Sequence, residues 1–259
     1  MRLDKRKQKI CLNKSFAAFL LLTIGVFLMI LEFAYSKLNY FSEGNSILLV
    51  IFGILGFVFM YCGGIIYFLA CERKNYRASW KFIKESRRHI LFVIALLAIS
   101  GIIGMFFQPA LIIELIKKMI EELVAKTDGL NYFEMLWFIF QNNSGVALMS
   151  IVFGVFFGLF PLITTFFNGY VLGFVSGKAV ELGGFSQILK LLPHGIFELP
   201  AIILALAFGL RLGMFIFADK PGPEFRYRLK NALRVLVFVI VPLLIFAAII
   251  ETSLIFIIK

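Results

Sequence analysis

The chain has 259 residues, of which 61% are hydrophobic, with a net charge of +11 and a mean hydropathy of +0.96. A soluble globular domain is nearer half apolar, so these values exclude a soluble domain large enough to fold alone. The basic charge sits mostly at the ends of hydrophobic runs, where the positive-inside rule accounts for it. No basic patch interleaves with exposed aromatics, which argues against nucleic acid as a partner. The runs are continuous rather than alternating, so they fit membrane helices and not the strands of a β-barrel.

In chain order, Met1 to Lys14 is basic and a long apolar run follows without a small-residue cleavage site, which predicts a retained first span over about Phe16–Tyr35. A short loop, Ser36–Asn45, leads to a second span over about Ser46–Ala70. The Cys71–Arg88 segment carries Arg73, Lys74, Arg77, Lys81, Lys84, Arg87 and Arg88 and precedes a third span, about His89–Phe107. After Pro109, residues Ile112, Ile113, Ile116, Met119, Ile120, Leu123 and Val124 share one helical face, while Glu114, Lys117, Lys118, Glu121 and Glu122 share the other. This predicts an amphipathic helix lying on the membrane or packed on the bundle. The three cysteines, Cys11, Cys62 and Cys71, lack metal-ligand spacing and read as small apolar residues or free thiols.

No charged residue occurs from Gly145 to Gly177. As helix that stretch is about 50 Å long, too long for one crossing and short for two. Either one tilted helix runs there, or the chain breaks near Pro161 into two short crossings or a re-entrant hairpin. If the N-terminus and the Cys71–Arg88 loop are cytoplasmic, the basic loop with Lys220, Arg226, Arg228 and Lys230 belongs on the same side. The span at about Pro200–Phe217 then runs inward, two crossings lie between Gly145 and Lys178, and a last span, about Val235–Ile258, places Lys259 outside. The expected fold is therefore an all-α polytopic transmembrane bundle of six or seven spans. It forms a single integral membrane domain over 1–259, with an amphipathic interfacial helix and a place for a broken or re-entrant one.

Small residues recur four apart at Gly154 and Gly158, at Gly169, Gly173 and Gly177, and at Gly209 and Gly213, a spacing that lets helix backbones approach closely in lipid. Polar residues gather in the same half, among them Asn142, Asn143 and Asn168, and asparagine at membrane depth needs a partner or a water-filled cavity. Arg211 reads as a side chain snorkelling from a span end. The sharpest feature is Pro193-His194-Gly195-Ile196-Phe197-Glu198-Leu199-Pro200. A carboxylate near a helix centre costs roughly 2.5–3.5 kcal/mol on insertion scales. In a helix His194 and Glu198, four apart, share a face; Pro200 would kink that helix, and a short helix or turn ahead of a span starting at Pro200 fits equally well. The pair reads as a structural hydrogen-bonded couple, as an ion or proton site, or as a docking element. A metal centre lacks a third ligand. No nucleotide-binding or nucleophile motif is present, so no enzyme activity, metal or cofactor is expected.

From about Ile139 to Gly213 the sequence resembles the stage II sporulation protein M family of membrane proteins. The resemblance rests on Asn142-Asn143, Gly154 and Gly158, Asn168-Gly169-Tyr170-Val171-Leu172-Gly173 and Pro193–Ala201. It implies a multi-span plasma-membrane protein without established catalytic activity, whose namesake is a scaffold in a complex with two cell-wall-remodelling proteins during engulfment. The family's recurrent residues fall on Asn142, Asn143, Asn168, Gly169, His194, Gly195 and Glu198. The expectation that follows is a non-enzymatic scaffold or assembly factor acting through protein partners or as a homo-oligomer, with its N-terminus cytoplasmic. The alternative is a transporter or channel whose polar intramembrane cavity is built from Asn142, Asn143, Asn168, His194 and Glu198.

Overall fold

A computed structural model describes residues 20–21, 23–25, 27–28, 46–71, 75–184 and 186–258. The chain divides into two compact units, Met1–Ala78 and Ser79–Lys259. Most of the expected first span, the basic N-terminal segment with Cys11, and the Ser36–Asn45 loop lie outside the described residues. In the first unit α1, Ser46–Cys71, is helical over the stretch expected for the second span. Gly25 lies so close to it that a Cβ there would stand 2.6 Å from the Gly56 carbonyl oxygen. Cys62 on α1 is an exposed free thiol.

The described part of the second unit is made of helices joined by short turns, without a strand. Following α2 (Asn75–Glu85), its helices are α3 (Arg87–Phe106), α4 (Ala110–Thr127), α5 (Tyr132–Phe153), α6 (Leu159–Gly183), α7 (Ser186–Gly213), α8 (Pro221–Val235) and α9 (Val241–Ile258). A 3-10 turn at Met214–Phe217 ends α7, and a π turn at Leu236–Ile240 joins α8 to α9. The π turn ends two residues before Pro242, which has no N–H to give the ladder. Among the described residues, five helices are long and apolar enough to cross a membrane: Arg87–Phe106, Tyr132–Phe153, Leu159–Glu181, Gly195–Phe217 and Pro221–Ile257.

The break in the long uncharged stretch comes at Gly154–Gly158, ahead of Pro161. Phe157 and Gly158 both take positive φ there, 56° and 70°, which reverses the chain within five residues. Pro161 is the third residue of α6, where its missing N–H has no helical partner to lose. The helix before the break starts earlier than Gly145 because Asn131 and Glu134 form a capping box. The Asn131 side chain accepts from the Phe133 and Glu134 amides at 3.0 Å, and Glu134 accepts from the Asn131 amide at 3.0 Å. Pro193 and Pro200 do not break α7, which runs unbroken from Ser186 to Gly213 with α3, α5, α6, α8 and α9 packed on it. Such packing holds a proline-bearing membrane helix together.

Glycine contacts set the helix directions. A Cβ on Gly169 would strike Leu97 and Ser100, one on Gly173 would strike Gly101, and Gly177 sits against Met105 and Gln108, so α3 and α6 run parallel. Gly209 presses on Ser150 and Gly213 on Gly154, so α5 and α7 also run parallel. Gly158 meets Gly213 and Pro161 meets Gly209, which makes α6 antiparallel to α7. Tyr132 Oη lies 2.9 Å from Ser253 Oγ and its ring packs on Phe256, joining the start of α5 to the end of α9. The five apolar helices therefore alternate in direction. The start of α3, the end of α5, the start of α6, the end of α7 and α8 all lie at one end of the unit. The most enclosed helix is α7, with Ala201, Ala205, Leu206, Ala207 and Phe208 fully buried.

In lipid there is no hydrophobic drive between apolar helices, so close backbone packing carries their association. Gly173→Ala puts a methyl group into the Gly101 backbone and is expected to cost about 1–3 kcal/mol. Gly145, with nothing within 4 Å of its Cβ position, is the control. Gly145→Ala should be neutral or stabilise by up to about 1 kcal/mol. Unfolding measured in the same detergent checks this, and equal stability of the two variants would contradict the α3–α6 contact.

Candidate functional site

The residues expected to form a polar intramembrane site are spread over three helices. Asn142 and Asn143 lie midway along α5 and bond each other, Nδ2 to Oδ1 at 3.4 Å. Asn168 is exposed on α6 and donates to the Thr164 carbonyl of its own helix at 2.9 Å. Neither set bonds the other. His194 and Glu198 lie four residues apart on the continuous helix α7. The His194 side chain lies outside the described residues. Glu198 is half-buried, and its Oε2 is out of contact with solvent.

A second carboxylate in an apolar helix was missed in the sequence. Glu251 on α9 is also half-buried with Oε2 out of contact with solvent. The signal was a lone acid in the run from Val235 to Ile258. Helices α5, α7 and α9 pack on one another pairwise. The Ser150–Gly209 and Tyr132–Ser253 contacts put Glu198 and Glu251 both in the half of the bundle where α5 begins. Next to Glu251, the Thr252 hydroxyl is fully buried without a hydrogen-bond partner among the described residues.

The densest polar construction lies at the opposite end and centres on Arg211. Its guanidinium does not snorkel: the residue is only 9% exposed. Nη1 donates to Ser86 Oγ at 2.8 Å and to the Phe82 carbonyl at 3.3 Å, Nη2 meets Glu85 Oε2 at 3.2 Å, and the group sits 4.4 Å over the Phe82 ring. Helix α2 packs where α7 ends, so the arginine finds protein before it finds water. Tyr227 Oη donates to the same Glu85 oxygen at 2.8 Å. Arg228 holds Glu224 at 2.7 Å and donates to the Arg211 carbonyl at 2.6 Å. Buried Arg234 donates to Asn231, which in turn donates to the Tyr227 carbonyl at 2.8 Å. This network ties α2, α7 and α8 together, and its planar fork geometry is what arginine supplies and lysine does not.

At the other end, α4 is joined to α3 and α5 by short links, 107–109 and 128–131, and so runs across the bundle. Ile116 is buried against Tyr170 and Phe174, with Ile112 and Ile113 beside it. Tyr170 Oη donates to the Phe107 carbonyl at 2.5 Å and fixes the α3–α4 corner. The rest of the same apolar stripe, Met119, Ile120, Leu123 and Val124, is exposed. No group of three or more His, Cys, Asp or Glu side chains suited to a metal occurs among the described residues.

Several long apolar helices alternating in direction, packed through glycines and closed at one end by a charged network, define a polytopic α-helical membrane protein. The family model described as Stage II sporulation protein M matches residues 93–254, from within α3 to within α9, and the chain belongs to that family. It is similar to an uncharacterized protein of Methanocaldococcus jannaschii, 32% identical over 141 residues, covering 52% of this chain and 61% of the relative. A second uncharacterized protein of the same organism is 30% identical over 122 residues, covering 44% of this chain and 66% of that relative. The chain thus spans less than two thirds of the length of each. No solved structure matches it.

Replacing Arg211 leaves Glu85, Ser86 and the Phe82 carbonyl short of a donor at a mostly buried site. Arg211→Met is expected to destabilise the protein by about 2–3 kcal/mol, less than a fully buried pair because Glu85 keeps some access to water. By contrast the Lys118–Glu114 pair, 3.1 Å apart with both side chains 65% exposed, is expected to contribute under about 0.5 kcal/mol. Denaturation of Arg211→Met and Lys118→Met side by side checks the contrast, and equal stabilities would contradict it.

Proposed function

We propose that this protein is a non-enzymatic scaffold or assembly factor of the plasma membrane that acts by holding protein partners. The observation that carries the reading is the unfinished apolar stripe of α4. Its first half is seated on α6, and its second half presents Met119, Ile120, Leu123 and Val124 without a covering helix. A patch of this kind on a helix of mixed charge suits a partner protein or the membrane interface. In this reading the basic end, with α2 and α8, is cytoplasmic and α4 is external. The five apolar helices after residue 79 and two before it then make seven crossings, with the N-terminus in the cytoplasm. Leu123→Lys and Val124→Glu, on exposed positions, are expected to release a copurifying partner at least tenfold more readily while leaving the melting profile unchanged. Impermeant thiol labelling should mark a cysteine at Lys118 from outside and one at Lys220 only from inside. An undiminished complex would remove α4 from the reading, and labels on one side would overturn the orientation.

A second reading is favoured by Glu198 and Glu251, whose carboxylates lie within apolar helices in the same half of the bundle. Ionisable groups at such depth mark ion or proton pathways in membrane proteins. Under this reading the protein is a transporter, and Glu198→Gln changes pH-dependent flux in proteoliposomes. Flux equal to that of empty vesicles across proton and cation gradients would dismiss it.

A further inference from the structure

We propose that the end of the bundle formed by α2, the start of α3 and α8 is a binding surface for anionic phospholipid headgroups. The inference goes beyond the scaffold reading. It rests on the five apolar helices crossing a bilayer, and not on which face of the membrane is cytoplasmic.

The argument begins with where the acids of this end are spent. Glu85 is occupied by Arg211 and Tyr227, and Glu224 by Arg228. Both acids are thus engaged by arginines of the network, although each carboxylate keeps partial access to solvent. The one further contact outward is Lys81, 3.8 Å from Glu85. Outside this network Lys84, Arg87, Arg88, Lys220 and Arg226 are exposed, and none makes an ion pair within the described residues. Among the described residues Asp219 is the remaining acid on that surface. The result is a positive collar around one end of a membrane bundle, with Glu85 and Glu224 already paired to Arg211 and Arg228.

The aromatic residues place that collar at headgroup depth. Trp80 is 61% exposed and carries the Lys84 ammonium 5.6 Å over its ring, and Phe217, at the end of the turn after α7, is 77% exposed. The amphipathic indole of Trp80 suits the membrane–water boundary, which sets the neighbouring cations level with lipid phosphates. A short basic segment beside a span, with flexible Lys and Arg side chains, attracts anionic lipid by charge. The other end of the bundle lacks this balance: there Glu114 pairs with Lys118 and Glu181 with Lys178, each at the surface.

The test uses the full chain in nanodiscs holding equal amounts of phosphatidylglycerol and phosphatidylcholine, with retained lipids counted by native mass spectrometry. The expected result is a preference of about fivefold for phosphatidylglycerol, falling to parity in the fourfold variant Lys84→Gln, Arg87→Gln, Arg88→Gln, Arg226→Gln. A control variant at the other end, Lys117→Gln, Lys118→Gln, Lys126→Gln, should keep the preference. If the fourfold variant does not fold, Lys84→Gln with Arg226→Gln, both exposed, should halve it. Parity in the wild type overturns the proposal, including the case where an acidic protein occupies the surface instead. Retention of the preference in the fourfold variant overturns it, and so does equal loss in the control, because net charge rather than this surface would then be at work.

Discussion

Everything in the second unit depends on helix backbones touching. Gly104, Gly169 and Gly173 let α3 and α6 lie against each other with no room for a Cβ, and Gly154, Gly209 and Gly213 do the same for α5 and α7. In water, burial of side chains would reward any apolar pairing. In lipid it does not, and dispersion between closely approached backbones has to hold the bundle. This explains why the contacts are so directional. Each glycine meets a particular carbonyl or amide, so register and polarity of the helices follow together, and alternation of direction is a consequence of a few atoms in contact.

Backbone contact alone leaves the helix ends open, and the two ends are treated differently. Where α7 ends, an arginine that lipid would push to the surface is instead captured by Ser86, Glu85 and the face of Phe82. A guanidinium is weakly hydrated and presents donors in a plane, so it can satisfy three neighbouring groups at once without the cost a buried ammonium would carry. The other end is built differently. The Tyr170 hydroxyl pins one corner, and beyond it the apolar stripe of α4 continues past its own packing partners.

Much of the architecture was legible from residues alone, for reasons that also explain the failures. Glycine spacing is a signal of close approach because a missing Cβ permits it, and Gly154, Gly169, Gly173, Gly209 and Gly213 stand where the described helices touch. The turn in the uncharged stretch was sought at Pro161 because proline is the strongest local breaker. Two residues at positive φ, Phe157 and Gly158, make the turn instead, and a phenylalanine in that conformation carries no signal in sequence. The early start of α5 went unread, although Asn131 and Glu134 have the spacing of a capping box. Arg211 was misjudged because snorkelling assumes a span end that faces water, and only tertiary structure reveals that α2 stands there. Glu251 was overlooked beside the sharper Pro193–Pro200 stretch, although a lone acid among so many apolar residues is an equal anomaly.

These two ends give the bundle a physical asymmetry. At one, three helices are tied by charge-assisted bonds to Glu85 and Glu224. The other carries two carboxylates within apolar helices and a helix seated by only half of its apolar face. Tight glycine contacts between these ends leave little freedom for the helices to slide, since a shift of one residue would drive a Cβ or a carbonyl into a neighbouring backbone. Motion that passes through the middle of such a bundle is costly, whereas motion of α4 about its Tyr170 corner displaces few contacts. A molecule arranged this way suits holding a partner at its open end more readily than cycling between two packings, and this is why the scaffold reading takes precedence over transport.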